Sequence, residues 1–264
     1  TNRECPFTCL MCDLWKYTTD ESVPVGAVDR QVESALAQMG AISQVKLYNA
    51  GNFFDDRAVA PPDRERIATR LGHLDAVIVE NHPKMVDDRV RAFRDLVGTD
   101  VDVAMGLETV HPEILPRLNK RMTLADFEAA SERLRAAELQ VRAFILVRAP
   151  FMTEAEGVEW ACRSIDFAFS VGVECCAVIP TRAGNGALDA LAAEGQFQAP
   201  TLDSLEAVAA YGLGLGQGRV FADLWDVERI ATCDRCSPAR IERLRTLNLT
   251  QTIPALVPCE CRAV

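Results

Sequence analysis

The strongest constraint on the fold of this chain is a repeated change of period. Short apolar runs, each closed by polar, Gly or Pro residues, alternate with longer helix-patterned stretches. The apolar runs are 44–50, 76–81, 102–109, 140–150 and 174–181, and the helical stretches between and after them are 28–39, 64–71, 87–97, 124–138, 155–171 and 202–211. Strands that alternate with helices form βαβ units and a parallel sheet. Strands apolar on both faces fit a sheet covered on both sides.

These runs predict the α/β class, with a partial (β/α)6 TIM-like barrel over residues 1–200. Five runs are visible, and the expected sixth strand lies upstream of Thr1. A glycine-rich stretch at 212–218 then breaks the pattern. Residues 219–226 offer one more strand, and 201–264 reads as a C-terminal, cysteine-containing extension with a helical run at 239–247. In such folds the chemistry sits at the carboxyl ends of the strands, so those ends hold the candidate site residues.

The ten cysteines are distributed unevenly. Cys5, Cys9 and Cys12 have the spacing C-x3-C-x2-C, and Cys233, Cys236, Cys259 and Cys261 form two close pairs. Cys162, Cys175 and Cys176 lie in apolar segments and read as core. A core-rich chain, 49% hydrophobic and without a signal peptide, is a poor secreted disulfide scaffold. Clustered cysteines then point to metal or redox chemistry in a cytoplasmic protein. No run of about 18 apolar residues is present, so no membrane span is expected. A formal net charge of −10 disfavours non-specific binding to phosphate backbones, though it leaves room for a basic partner.

Thiolates hold iron–sulfur clusters, and three of them can hold three irons of a [4Fe–4S] cube while the fourth stays open. An open iron can chelate the amino and carboxylate groups of S-adenosylmethionine (SAM). The alternatives are a structural zinc site, which would need a fourth ligand nearby, and chance spacing. The four C-terminal cysteines can meet as one S4 site for an auxiliary [4Fe–4S] cluster or for zinc. A zinc-dependent binding module without redox chemistry is a further reading of the whole chain.

The segment Glu4-Cys5-Pro6-Phe7-Thr8-Cys9-Leu10-Met11-Cys12 resembles the signature of the radical SAM superfamily, with Met11 where an aromatic residue is usual. The resemblance implies an oxygen-sensitive enzyme that cleaves SAM reductively to a 5′-deoxyadenosyl radical and abstracts hydrogen from substrate. It implies an electron donor of the flavodoxin or ferredoxin type. It also implies roles at the strand ends. Gly51 and Asn52, in Asn49-Ala50-Gly51-Asn52, would receive the SAM amino group, and Glu108 would accept the ribose hydroxyls. Ile179 would present backbone to adenine. An arginine at 148 can pair with the SAM carboxylate, or instead with a neighbouring acid. Glu80 and His82 follow a strand and are the candidate substrate-facing residues.

Several segments together, 48–53, 105–109, 118–123 and 179–186, resemble the radical SAM proteins related to the archaeosine-synthesis enzyme RaSEA, within the broader Elp3/MiaB-like group. That likeness implies a modified 7-deazaguanine base in tRNA, reached with a partner protein. A small-molecule substrate remains the other possibility.

Overall fold

The computed structural model describes residues 2–259 and 261. Six strands are present among the described residues: β1 Gln44–Leu47, β2 Ala76–Glu80, β3 Asp100–Glu108, β4 Gln140–Val147, β5 Cys175–Pro180 and β6 Arg219–Ala222. The helices are α1 Ala27–Leu36, α2 Pro61–Leu71, α3 Asp88–Val97, α4 Ile114–Arg117, α5 Leu124–Ala136, α6 Glu154–Ser170, α7 Ala187–Ala193, α8 Leu202–Gly214 and α9 Ser237–Thr250. The strands follow one another across a single parallel sheet in sequence order, β1 to β6. A doubly wound sheet reverses direction at a switch point. Uninterrupted order is the winding of a barrel, so the fold is an α/β partial TIM-like barrel.

The expected strands at 44–50, 76–81, 102–109, 140–150 and 174–181 correspond to β1 to β5, and the further strand suggested at 219–226 is β6. No described helix is long and apolar enough to cross a membrane.

The chain divides into two compact units. The first, Thr1–Gly106 with Asn119–Arg142, carries the parallel pairs β1–β2 and β2–β3, in register from Gln44 opposite Ala76 and from Ala76 opposite Asp100. Its core combines Val45, Val77, Val79, Ile67 and Leu71 with an edge-to-face cluster of Phe53, Phe54 and Phe93. A buried ion pair, Arg142 Nη2 to Asp102 Oδ2 at 2.9 Å, joins β4 to β3. The helices start where the sequence supplies caps. Asp87 accepts from the Arg89 N–H at α3, and Thr123 and Asp126 form a reciprocal capping box at α5.

The second unit, Leu107–Leu118 with Ala143–Val264, pairs β5 with β6 from Cys175 opposite Arg219. Ile165, Leu205, Val208, Val178 and Val220 are fully buried there, as are Cys175 and Cys176. Burial pushes the Cys176 thiol above its ordinary range, as befits a core cysteine. A second capping box, Thr153 with Glu156, opens α6.

Candidate active site

Cys5, Cys9 and Cys12 lie on one loop of the first unit, and all three are half-buried. Sequence-local forces shape this loop only in part. The Cys12 N–H donates to the Cys9 carbonyl at 3.1 Å, and Thr8 takes a left-handed backbone, φ 44°. The remaining restraints are tertiary. The Phe7 ring lies on the His82 imidazole, centroids 3.5 Å apart and planes 5° from parallel. Asn119 Nδ2 donates to the Thr8 carbonyl at 2.9 Å, and Arg121 Nη1 reaches the Pro6 carbonyl at 3.5 Å. Asn119 and Arg121 are themselves left-handed, so the 118–123 turn is shaped to reach the loop.

Asn52, in the loop that follows β1, is buried and connects two of these parts. Its Nδ2 donates to Cys5 Sγ at 3.3 Å, while its Oδ1 accepts from the His82 N–H at 2.7 Å. Gly51 beside it lies against the segment leading into the loop, and a side chain there would press only on the Asn2 amide. A Cβ there would stand 3.1 Å from Asn2 Nδ2 and 3.7 Å from the Arg3 carbonyl, on the segment leading into the loop. Burial pushes the Cys5 and Cys12 thiols up. At Cys5 the Phe7 N–H, the Asn52 amide and the Lys120 charge oppose that rise, whereas the Cys5 and Glu80 charges add to it at Cys12. Glu80, at the end of β2, is therefore close enough to Cys12 to be felt by it.

Two carboxamides in this region are incompletely paired among the described residues. Neither polar atom of the Asn49 side chain has a partner although both are buried, and the same holds for Asn81 Oδ1. A buried unpaired polar group costs about 1–3 kcal/mol, so such groups cluster where a ligand completes them.

His82 is a poor candidate for a proton donor. Its Nε2–H donates to the Lys120 carbonyl at 2.9 Å, and its Nδ1 accepts from the Lys84 N–H at 3.1 Å. Burial, then the Lys120 charge, hold its pKa down at about 3. The unfolded chain takes up this proton near 6.5. Stability is therefore lost as pH falls from about 6.5 towards 3, by about 1.4 kcal/mol per unit. Denaturant titrations at pH 6.5 and pH 4.5 are expected to show wild type losing about 2 kcal/mol more than His82→Gln. Parallel losses in the two proteins would remove this account.

In the second unit, Glu108 ends β3 buried and left-handed, φ 66°. A non-glycine residue keeps that backbone only where its surroundings fix it. Arg148 follows β4 with φ 56° and is also buried. Its guanidinium donates to Glu154 Oε2, to the Ala199 carbonyl at 2.9 Å, to Gln198 Oε1 at 3.0 Å and to the Met152 carbonyl at 3.4 Å. The neighbouring-acid arrangement is thus the one present. Gly157 in α6 explains how it is reached, since a Cβ there would stand 2.7 Å from Arg148 Cα. Ile179 in β5 is half-buried beside the fully buried Val178.

The same unit gathers the four C-terminal cysteines. The Sγ atoms of Cys233, Cys236, Cys259 and Cys261 all lie within 4.8 Å of one another. The N–H groups of Cys236 and Arg235 draw the Cys233 thiol down to about 6.

Sequence reasoning singled out the 118–123 segment but gave Asn119 and Arg121 no part, and it passed over Phe7. An aromatic residue inside a cysteine loop and a polar stretch between apolar helices were the available signals.

Among curated proteins, the chain is 28% identical over 96% of its length to archaeosine synthase subunit beta of Methanosarcina acetivorans, covering 78% of that protein. It is 29% identical over 60% of its length to the protein of the same name from Thermococcus kodakarensis, covering 51% of it. Among solved structures, Methanocaldococcus infernus Elp3 superposes with a TM-score of 0.62 at 12% identity, over 85% of this chain and 59% of that one. Escherichia coli coproporphyrinogen III oxidase (HemN), a radical SAM enzyme, gives 0.50 at 13% identity, over 81% of this chain and 50% of that one. At such identities these two likenesses speak for the fold. The radical SAM superfamily profile matches residues 1–180, which sets aside a binding module without redox chemistry. The chain is an enzyme of the radical SAM superfamily.

Proposed function

We propose that Cys5, Cys9 and Cys12 hold a [4Fe–4S] cluster through three irons and that SAM binds at the fourth. The observation that carries this reading is the loop itself. Its three thiols are unbridged and half-buried, and four separate side chains of the same unit (His82, Asn52, Asn119 and Arg121) hold it in place. The unpaired carboxamide of Asn49 fits a polar ligand such as the SAM amino acid group. When bound, the cluster supplies the electron that splits SAM into methionine and a 5′-deoxyadenosyl radical.

The chain's own residues then have distinct parts. Asn52 donates to the Cys5 sulfur, a bond that stabilises the reduced form of a cluster. Gly51 lets the segment before the loop approach. Phe7 and His82 fix the loop's orientation, and Glu80, near Cys12, is the better substrate-facing candidate of the pair. Glu108 accepts the two ribose hydroxyls, and the Ile179 backbone faces adenine. The internal hydrogen bonds of Arg148 support a structural part for it in place of a SAM contact. A flavodoxin or ferredoxin supplies the electron.

Likeness to archaeosine synthase subunit beta over nearly the whole chain favours one substrate class, a modified 7-deazaguanine in tRNA presented with a partner subunit. The test is incubation of reduced enzyme and SAM with tRNA carrying that base, with and without a candidate partner subunit. Base-dependent loss of SAM supports this class; consumption by small molecules alone would exclude it.

The Glu108 role predicts its own effect. A hydrogen bond to a charged group contributes about 1.5–3 kcal/mol before desolvation. Glu108→Ala is therefore expected to weaken SAM binding about tenfold or more by calorimetry on the reconstituted protein. Unchanged affinity in a folded variant would remove the role.

A further inference from the structure

We infer that Cys233, Cys236, Cys259 and Cys261 are the ligands of a single tetrahedral zinc ion and not of a second iron–sulfur cluster. The sulfur separations carry the inference. Cys233 and Cys259 are 3.8 Å apart, Cys236 and Cys261 are 3.5 Å apart, and no pair exceeds 4.8 Å. A zinc bound at about 2.3 Å to each thiolate makes a tetrahedron with edges of about 3.8 Å. A [4Fe–4S] cube places each thiolate on a different iron. That separates the sulfurs by a further metal–metal edge, beyond the 4.8 Å span of this group. The four atoms are therefore arranged for one ion.

The backbone around them has the same character. Cys233 and Cys236 sit on a tight turn into α9. The Ser237 N–H donates to the Cys233 carbonyl at 2.9 Å, and Ser237 Oγ accepts from the Cys233 N–H at 3.2 Å. The N–H groups of Arg235 and Cys236 are directed at Cys233 Sγ, and that of Cys261 at Cys259 Sγ. The Arg240 guanidinium contacts Cys236 Sγ. Four thiolates around a divalent ion carry a net double negative charge, and these donors spread it. Between ferrous iron and zinc in one S4 tetrahedron, the general affinity order favours zinc. Four protein ligands close the coordination shell, so the ion is structural. It joins the start of α9 to a tail that, over 252–259, has neither helix nor strand.

This inference stands apart from the N-terminal assignment, and its test separates the two. Metal and acid-labile sulfide are measured in the Cys5→Ala/Cys9→Ala/Cys12→Ala variant. About one zinc per chain without sulfide is expected, and further replacement of Cys259 and Cys261 by Ser should lower zinc at least tenfold. Zinc-edge X-ray absorption on the wild-type protein serves as a check that needs no variant, and four sulfurs at about 2.3 Å are expected. Iron with labile sulfide in the triple variant, one iron in place of zinc, no metal in a folded chain, or fewer than four sulfurs around zinc would each overturn it.

Discussion

Replacing Cys5, Cys9 and Cys12 together by alanine is expected to abolish reductive formation of 5′-deoxyadenosine, with no turnover above the background of reductant and SAM alone. The loss should be complete because one group supplies the whole of the chemistry. The same unit has no other cysteine among its described residues, and Cys175 and Cys176 are buried in the core of the other unit. The fold should survive. The loop contributes no described strand or α-helix, and the Phe7–His82 stack and the Asn119 bond do not use the sulfurs. Chromatography of quenched reactions measures the product, and circular dichroism checks the fold. A folded triple variant that still makes 5′-deoxyadenosine would show the cluster to be elsewhere.

The second large effect concerns stability. Glu206 on α8 is 2% exposed, and it faces Arg240 and Arg243 on α9, each 4% exposed. Its Oε2 accepts from Arg240 Nη2 at 2.7 Å, and its Oε1 lies 3.4 Å from Arg243 Nη1. Removing one member of a buried ionic group leaves the other charges without compensation, at about 3–5 kcal/mol. Glu206→Ala should therefore lower the unfolding free energy by roughly that amount in denaturant titrations. A surface pair such as Arg163 with Glu159 should matter by less than about 1 kcal/mol. A loss below about 1 kcal/mol for Glu206→Ala would mean that Asp203, also 2.8 Å from Arg240, compensates. Arg243 additionally donates to the Pro254 and Ala255 carbonyls, so the same variant should loosen the tail that carries Cys259 and Cys261.

The fold was largely legible because its elements announce themselves locally. β3 is buried along nearly all its length and its middle, Val103 to Leu107, reads as an apolar run, and Thr123 and Thr153 mark helix starts with an acid three residues on. Strand ends were less legible. Residues 48–50 continue the β1 pattern, yet the chain leaves the sheet after Leu47. The helix α7 was missed because it is short. At the site, cysteine spacing supplied the two candidate ligand sets, since spacing is a property of sequence. It left the choice between one ion and a cube open, because that rests on distances between residues far apart in the chain. His82 shows the same limit. As a strand-end histidine it resembles a catalytic group, and only its two backbone partners reveal otherwise.

The stack of Phe7 on His82 has a consequence for how this sequence can drift. With centroids 3.5 Å apart and planes 5° from parallel, neither ring can change size unless the other yields. A new residue at 82 must also replace two hydrogen bonds to main chain. Across a lineage these two positions, distant in the chain, are expected to change together or to stay fixed, and an alignment of relatives should show them as a correlated pair.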